Sequence, residues 1–161
     1  MRELAVQSAT ATNGTSDRAN LNAEYQALGT EVVRTLANTK FNGLAILGAN
    51  AGTLSFQVGA NAGETVDVVT TRLDTAVSIT GATGGAITDA TLAGTAMTNI
   101  DTALTAVNGE RALYGATQNR FDAIIGTLQV AAENQAAAKS RITDAVFAAE
   151  TANLPRAQIL R

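Results

Sequence analysis

A long apolar seam near the C-terminus constrains this sequence more than any other feature. Between residues 97 and 151, apolar side chains recur every seven residues, the spacing of a helix that packs against other helices. A helix of that span, at about 1.5 Å per residue, is roughly 80 Å long and exceeds the diameter of a compact domain of this size. The first row of the seam contains Ile100, Val107, Tyr114, Phe121, Leu128, Gln135, Ile142 and Ala149.

We therefore expect a mainly α-helical protein with a small β part. The architecture is an elongated bundle of antiparallel or parallel helices, in which shorter N-terminal helices lie along the long C-terminal helix. Pro155 follows the seam, where the helix is predicted to stop. Whether Gly109, Gly115 or Gly126 bends the long helix is left open by the sequence.

The rest of the chain divides by changes of period and by turn residues. Residues 1–9 have helical spacing and are predicted to be the end of a first helix, because no capping residue precedes them. Residues 17–39 are predicted to form a second helix, capped by Ser16 or Asp17. Its buried stripe comprises Leu21, Tyr25, Leu28, Val32, Leu36 and Thr39.

The region 41–72 is predicted to form a β-hairpin, because apolar and polar residues alternate there with a period of two. Leu54, Phe56 and Val58 alternate with polar residues, and Val66 and Val68 do so after a glycine-containing turn. Since an isolated hairpin is marginally stable, this one is expected to pack on the helices. Residues 74–96 are rich in Thr, Ala and Gly, and we predict a flexible surface excursion there.

Composition excludes several classes of function. The formal net charge is −3 with only two lysines, so the basic surface of a nucleic-acid-binding protein is missing. No His or Cys is present, which removes the commonest catalytic bases, nucleophiles and transition-metal ligands. We therefore predict no enzyme activity, no metal site and no cofactor; an enzyme using a pair of carboxylates stays as an alternative. No apolar run is long enough for membrane insertion.

One short motif has two interpretations. Asn13-Gly14-Thr15 fits the N-glycosylation acceptor pattern, but Asn-Gly is also a strong turn signal, and we interpret it as a turn.

Taken together, segments from both ends of the chain resemble bacterial flagellin, the subunit of the flagellar filament. They occur in the order found in that family, and only residues 74–96 lack a recognisable counterpart. The matching segments are Arg2-Glu3-Leu4-Ala5-Val6-Gln7-Ser8-Ala9, Phe41-Asn42-Gly43, Gln57-Val58-Gly59-Ala60-Asn61, Gln118-Asn119-Arg120-Phe121, Ser140-Arg141-Ile142 and Arg156-Ala157-Gln158-Ile159-Leu160.

The resemblance implies a single rod-like core domain over residues 1–161 of an extracellular filament protein, exported without a cleaved secretory signal. Residues 74–96 would be the remnant of a variable outer domain. The terminal segments that form the innermost filament tube in the family have no counterpart here, so we expect a truncated core that does not polymerise. The intact protein would be a filament-forming homo-oligomer, and this core a monomer or weak oligomer. A hook–filament junction protein is the alternative.

The resemblance also implies a partner and a surface. Flagellins are recognised by vertebrate Toll-like receptor 5, and the matching contact positions are Arg2, Leu4, Gln7 and Glu24. We interpret the packing of subunits as the origin of these residues, which the receptor then exploits.

Overall fold

The computed structural model describes the backbone of residues 1–159 and the side chains of residues 1–144, 147, 150, 151 and 153. Four helices lie in this part of the chain: α1 (Arg2–Ala9), α2 (Thr15–Asn38), α3 (Val77–Thr83) and α4 (Ala90–Ile159). Two antiparallel hairpins lie between α2 and α3. The predicted fold class, mainly helical with a long C-terminal helix and a small β part, is confirmed. The chain falls into two compact units, Met1–Gly115 and Ala116–Arg161.

The core of the first unit is built from α1, α2, α3 and the first turns of α4. Tyr25 and Ala5 have no exposed surface, and Ile87 is equally inaccessible. Burial raises the pKa of the Tyr25 phenol, whose hydroxyl donates a hydrogen bond to the Ala82 carbonyl. The buried cluster contains Ala5, Tyr25, Leu73, Ile79, Ala82, Ile87, Ala93, Ala96, Ile100 and Ala103.

Helix α2 begins two residues earlier than predicted. Its N-cap is Gly14, and the Asp17 carboxylate reaches back to accept the Gly14 N–H at 3.0 Å. Asp17 therefore helps to close the first turn from inside the helix and is not itself the N-cap.

The predicted buried stripe of α2 is correct only in part. Tyr25 is fully buried, and Leu21 and Leu36 are half-buried against the core. Leu28 and Val32, in contrast, are 40% and 38% exposed. Gly29, absent from the stripe, is buried, since α3 approaches α2 at that point.

The predicted hairpin is present as β3 (Thr53–Gln57) and β4 (Thr65–Val69). Leu54 pairs with Val68 and Phe56 with Val66, which places the four apolar side chains on one face. Val66 and Val68 are buried, and the alternate residues of β4 are exposed. The two-residue period thus located both strands to within a residue or two.

A second, shorter hairpin was not predicted. Strand β1 (Lys40–Phe41) pairs with β2 (Leu44–Ala45) across a two-residue turn at Asn42-Gly43. Both turn residues have positive φ, 49° and 83°, as a type I′ turn requires. Asn-Gly is a strong signal for such a two-residue hairpin turn.

The expectation of a flexible excursion at residues 74–96 is wrong. Helix α3 lies within it, and α4 begins at Ala90. Ile79, Ile87 and Ala93 are buried members of the core, so the segment packs inside the first unit. Its small residues permit close packing, which composition alone does not distinguish from flexibility.

Helix α4 is longer than the predicted 97–151. It starts at Ala90 and runs to Ile159, past Pro155, so the proline does not end it. Gly109, Gly115 and Gly126 also lie within the helix and do not interrupt it.

Candidate binding surface on the first two helices

Helix α1 presents one side to the core and the other to solvent. Ala5 and Ser8 face inward, and the Ser8 hydroxyl donates to the Ile87 carbonyl at 2.5 Å. Arg2 and Gln7 are exposed on the outer side, while Leu4 is half-buried and packs against the core. Three of the four predicted contact residues therefore lie on one short helix, with Leu4 available only in part.

Arg2 forms an ion pair with Asp101 of α4. The Arg2 Nε lies 2.9 Å from Asp101 Oδ1, and Nη2 lies 3.3 Å from Oδ2, a bidentate arrangement. The hydrogen bond and the opposite charge raise the pKa of Arg2 and lower that of Asp101. Each side chain is 54% exposed, so water screens the attraction strongly. Asp101 thus orients Arg2 at the surface.

Gln7 and Glu24 line the same groove between α1 and α2. The groove has a volume of about 370 Å³, and its walls are mainly polar. The structure therefore brings two of the predicted contact residues together, while Arg2 is engaged by Asp101. The lining residues are Gln7, Asn13, Asp17, Asn20, Leu21 and Glu24.

The connection between α1 and α2 holds this groove in place. Asn13 Nδ2 donates to the Gln7 carbonyl at 2.5 Å. Arg18 Nε donates to the Ser8 carbonyl at 2.9 Å, and its Nη2 donates to the Thr10 carbonyl at 3.2 Å. Since these carbonyls lie at the C-terminal end of α1, Arg18 satisfies acceptors that the helix leaves open. Neither Arg18 nor Asp101 was singled out from the sequence, because only the tertiary contact reveals its role.

Two carboxylates, those of Asp17 and Glu24, line the groove. Asp17 and Glu24 are seven residues apart on α2, which corresponds to about 10 Å of helix rise. The Asp17 carboxylate accepts the Gly14 N–H and is committed to the start of the helix.

By their side-chain types and hydrophobicity, the described residues form neither a metal site nor a membrane span. Among these residues, no group of three or more His, Cys, Asp or Glu side chains is placed to hold a metal ion. None of the helices, over the residues described, combines the length and hydrophobicity needed to cross a bilayer.

A second exposed surface lies on α4 within the unit Ala116–Arg161. Large apolar side chains on this helix are open to solvent, Ile142 by 70% and Phe147 by 76%. Several large exposed apolar side chains on one helix are typical of a segment that packs against other helices. Its large members are Ile125, Leu128, Val130, Ile142 and Phe147, called the α4 apolar surface below.

Comparisons with known proteins agree on one family. The family model for the bacterial flagellin C-terminal helical region matches residues 97–161. The flagellin of Halalkalibacterium halodurans is 42% identical over 160 residues, which cover 99% of this chain and 59% of the relative. A flagellar filament core protein of Treponema maltophilum is 34% identical over 173 residues, covering 99% of this chain and 61% of that protein. The chain therefore spans about three-fifths of the length of these curated relatives.

A solved structure supports the same assignment. The crystal structure of Bacillus cereus flagellin superposes with a TM-score of 0.62 at 30% identity, covering 75% of this chain and 69% of that one. Sequence relatives, the family model and the fold thus point to one conclusion. The chain belongs to the flagellin family, whose members are structural proteins of the flagellar filament and not enzymes.

Proposed function

We propose that this chain contributes to a structural subunit of the extracellular bacterial flagellar filament and acts in motility without a cofactor. The α4 apolar surface is the observation that carries the proposal. Exposed apolar side chains such as Ile142 and Phe147 favour association, because their burial against a neighbouring helix removes apolar surface from water. Helical subunits associate in this way. A head-to-tail contact that repeats without closing produces a filament.

A chimeric subunit tests this role. The matching region of the Halalkalibacterium halodurans flagellin is replaced by residues 1–161, and filaments are counted by electron microscopy in a strain that lacks its own flagellin. We expect filaments from the chimera and far fewer from the same chimera with Leu128→Ser. Gln129→Ser, on a neighbouring exposed residue, is the matched control. Equal filament numbers for all three chimeras would remove the α4 apolar surface from the proposal.

Polymerisation by residues 1–161 alone is not part of the proposed function. The chain matches only 59% of the Halalkalibacterium halodurans relative, and the remaining part of that relative is available for further contacts. We expect residues 1–161 to be a monomer or weak oligomer under ionic conditions in which the chimera assembles. Sedimentation velocity distinguishes these states from filaments.

We also propose that vertebrate Toll-like receptor 5 recognises the exposed surface of α1 and α2. The named residues are Arg2, Leu4, Gln7 and Glu24. Support comes from the shared groove of Gln7 and Glu24 and from the orientation of Arg2 by Asp101. A rigid, already oriented surface loses less conformational entropy on binding than a flexible one.

Binding to the immobilised receptor ectodomain tests the surface. Glu24→Ala and Leu4→Ala are expected to weaken binding sharply, the first by removing a charge and the second by removing an apolar contact. Glu133→Ala, on an exposed residue of the other compact unit, is the control. Unchanged binding in both surface variants would exclude the named site, and circular dichroism checks that Leu4→Ala stays folded.

A hook–filament junction protein is the second candidate. The Halalkalibacterium halodurans relative is named a flagellin and the Treponema maltophilum relative a flagellar filament core protein, which favours the filament subunit. Complementation of strains lacking either the filament or the junction component separates the two roles.

A third proposal concerns residues 74–96, which we infer to be the position at which outer domains are inserted in longer flagellins. Thr88 is exposed and precedes Asp89, whose Oδ1 accepts the Leu92 N–H at 2.8 Å in the first turn of α4. A small folded domain inserted after Thr88 is expected to leave the thermal unfolding of the first unit intact. Loss of cooperative unfolding in the insertion variant would contradict this.

A further inference from the structure

Three Asn-Gly pairs occur in the chain: Asn13-Gly14, Asn42-Gly43 and Asn108-Gly109. In such a pair the glycine backbone nitrogen, after losing its proton to solvent base, can attack the asparagine Cγ. A new N–C bond forms, the Cγ–Nδ2 bond breaks, and ammonia leaves with a proton from water. Water then opens the five-membered succinimide to aspartate or isoaspartate. Asparagine is thermolabile for this reason, and the accessibility of both atoms determines the rate.

The first pair is protected by hydrogen bonds to both reacting groups. Asn13 Nδ2 donates to the Gln7 carbonyl at 2.5 Å, which holds the carboxamide of this half-buried side chain. Gly14 N–H donates to Asp17 Oδ2 at 3.0 Å, so the attacking nitrogen is engaged as well. Cyclisation here requires the N-terminal turn of α2 to open. The same contacts occupy the nitrogen that a glycosyl transfer to Asn13 would need.

The third pair is protected by the helix. Asn108 and Gly109 lie inside α4, more than ten residues from either end. The Gly109 nitrogen belongs to the ladder of bonds to the carbonyl four residues earlier, and helical backbone keeps it away from the Asn108 side chain. Opening this site requires local unfolding in the middle of a long helix.

The second pair has neither kind of protection. Asn42 and Gly43 form the exposed turn of the β1–β2 hairpin. Among the described hydrogen bonds, none involves the Asn42 carboxamide or the Gly43 N–H. A β-carbon built on Gly43 would meet no heavy atom within 4 Å, so no neighbouring segment packs against the turn at this point. The hairpin contains only two residue pairs and therefore opens readily.

We propose that Asn42 is a site of spontaneous deamidation in the folded protein, selected by the β1–β2 hairpin over the two other Asn-Gly pairs. The product places a negative charge between Phe41 and Leu44, which are 57% and 43% exposed. An isoaspartate also adds a methylene to the main chain of the turn. The pairing of Lys40 with Ala45 then loses its register.

Peptide mapping by mass spectrometry tests the proposal on the folded chain, incubated at mildly alkaline pH and sampled over time. We expect conversion at Asn42 to be at least about tenfold faster than at Asn13 or Asn108, which corresponds to a difference of about 1.4 kcal/mol in the free energy of reaching the reactive geometry. Equal or faster conversion at Asn13 or Asn108 would overturn the proposal.

The same chain unfolded in urea is the control for local sequence. Because all three pairs share the Asn-Gly dipeptide, their rates should converge once the structure is removed. If the tenfold preference for Asn42 persists in urea, the hairpin is not its cause and the proposal fails. An Asn42→Gln variant should lose the fast phase in the folded state, while the rates at Asn13 and Asn108 stay unchanged.

Discussion

Gly29 of α2 packs directly against the backbone of Thr83 in α3. A β-carbon at Gly29 would lie 2.5 Å from the Thr83 carbonyl oxygen, closer than atoms of these types approach. Because the obstruction is backbone, it cannot move aside as a flexible side chain would. Gly29→Ala is therefore expected to lower the free energy of unfolding by about 1–3 kcal/mol, measured by urea denaturation.

Gly109→Ala is the matched control for that substitution. Gly109 is also helical, but a β-carbon there meets no heavy atom within 4 Å. The higher helix propensity of alanine should stabilise the chain by up to about 1 kcal/mol. A destabilisation by Gly109→Ala as large as that by Gly29→Ala would mean that the contact with Thr83 is not the cause.

The Tyr25 hydroxyl satisfies the Ala82 carbonyl at the C-terminal end of α3, where helical carbonyls lack partners within the helix. Tyr25→Phe keeps the ring in the core but leaves this buried acceptor without its donor. We expect a loss of about 1–3 kcal/mol in the free energy of unfolding. Tyr25→Leu should cost more, since it also removes aromatic volume from the core. An unchanged free energy of unfolding for Tyr25→Phe would show that the hydroxyl contributes little.

The α2–α3 contact also shows what sequence reasoning could and could not reach. The period of apolar residues located α2, the β3–β4 hairpin and the long C-terminal helix, because each buries one face along a regular repeat. Gly29, Thr83 and the Tyr25 bond depend on where two separate segments meet, which no local repeat encodes. Residues 74–96 were misjudged for the same reason, since small residues suit both loops and tight helix packing.

The candidate surface, too, could be predicted from the sequence only in part. Gln7 and Glu24 were selected by resemblance, and their common groove follows from how α1 turns back onto α2. Asp101 could not have been selected, because 99 residues separate it from Arg2. Local motifs thus identify surface residues, while their charged partners require the fold.

The Arg2–Asp101 pair should make stability depend on pH in the acidic range. Asp101 has a lowered pKa in the folded state, so its contribution is present above the unfolded pKa of about 3.9 and is lost as pH falls through the folded value. Arg2 has a raised pKa, and its contribution is lost only in strong alkali. Asp101→Asn should therefore lower Tm slightly at neutral pH and have no effect well below pH 3.

A double-mutant comparison isolates this pair from the other carboxylates. In an Arg2→Gln background, Asp101→Asn should no longer change the pH dependence of Tm, because the carboxylate has lost its partner. Added salt should reduce the effect of the single variant, as both side chains are exposed. If Asp101→Asn still changes the pH dependence of Tm in the Arg2→Gln background and at high salt, another contact of Asp101 is the cause.

Hydrogen exchange should be fast in α4 beyond Ile125 when the chain is monomeric. Every described side chain from Ile125 to Asp144 is exposed, so little apolar burial opposes local opening of these turns. Amides near Ala96 and Ile100, whose side chains are buried in the first unit, should exchange much more slowly. Exchange followed by mass spectrometry at two protein concentrations measures both regions. Protection beyond Ile125 that rises with concentration would show a second copy covering the α4 apolar surface, whereas strong protection independent of concentration would contradict the expectation.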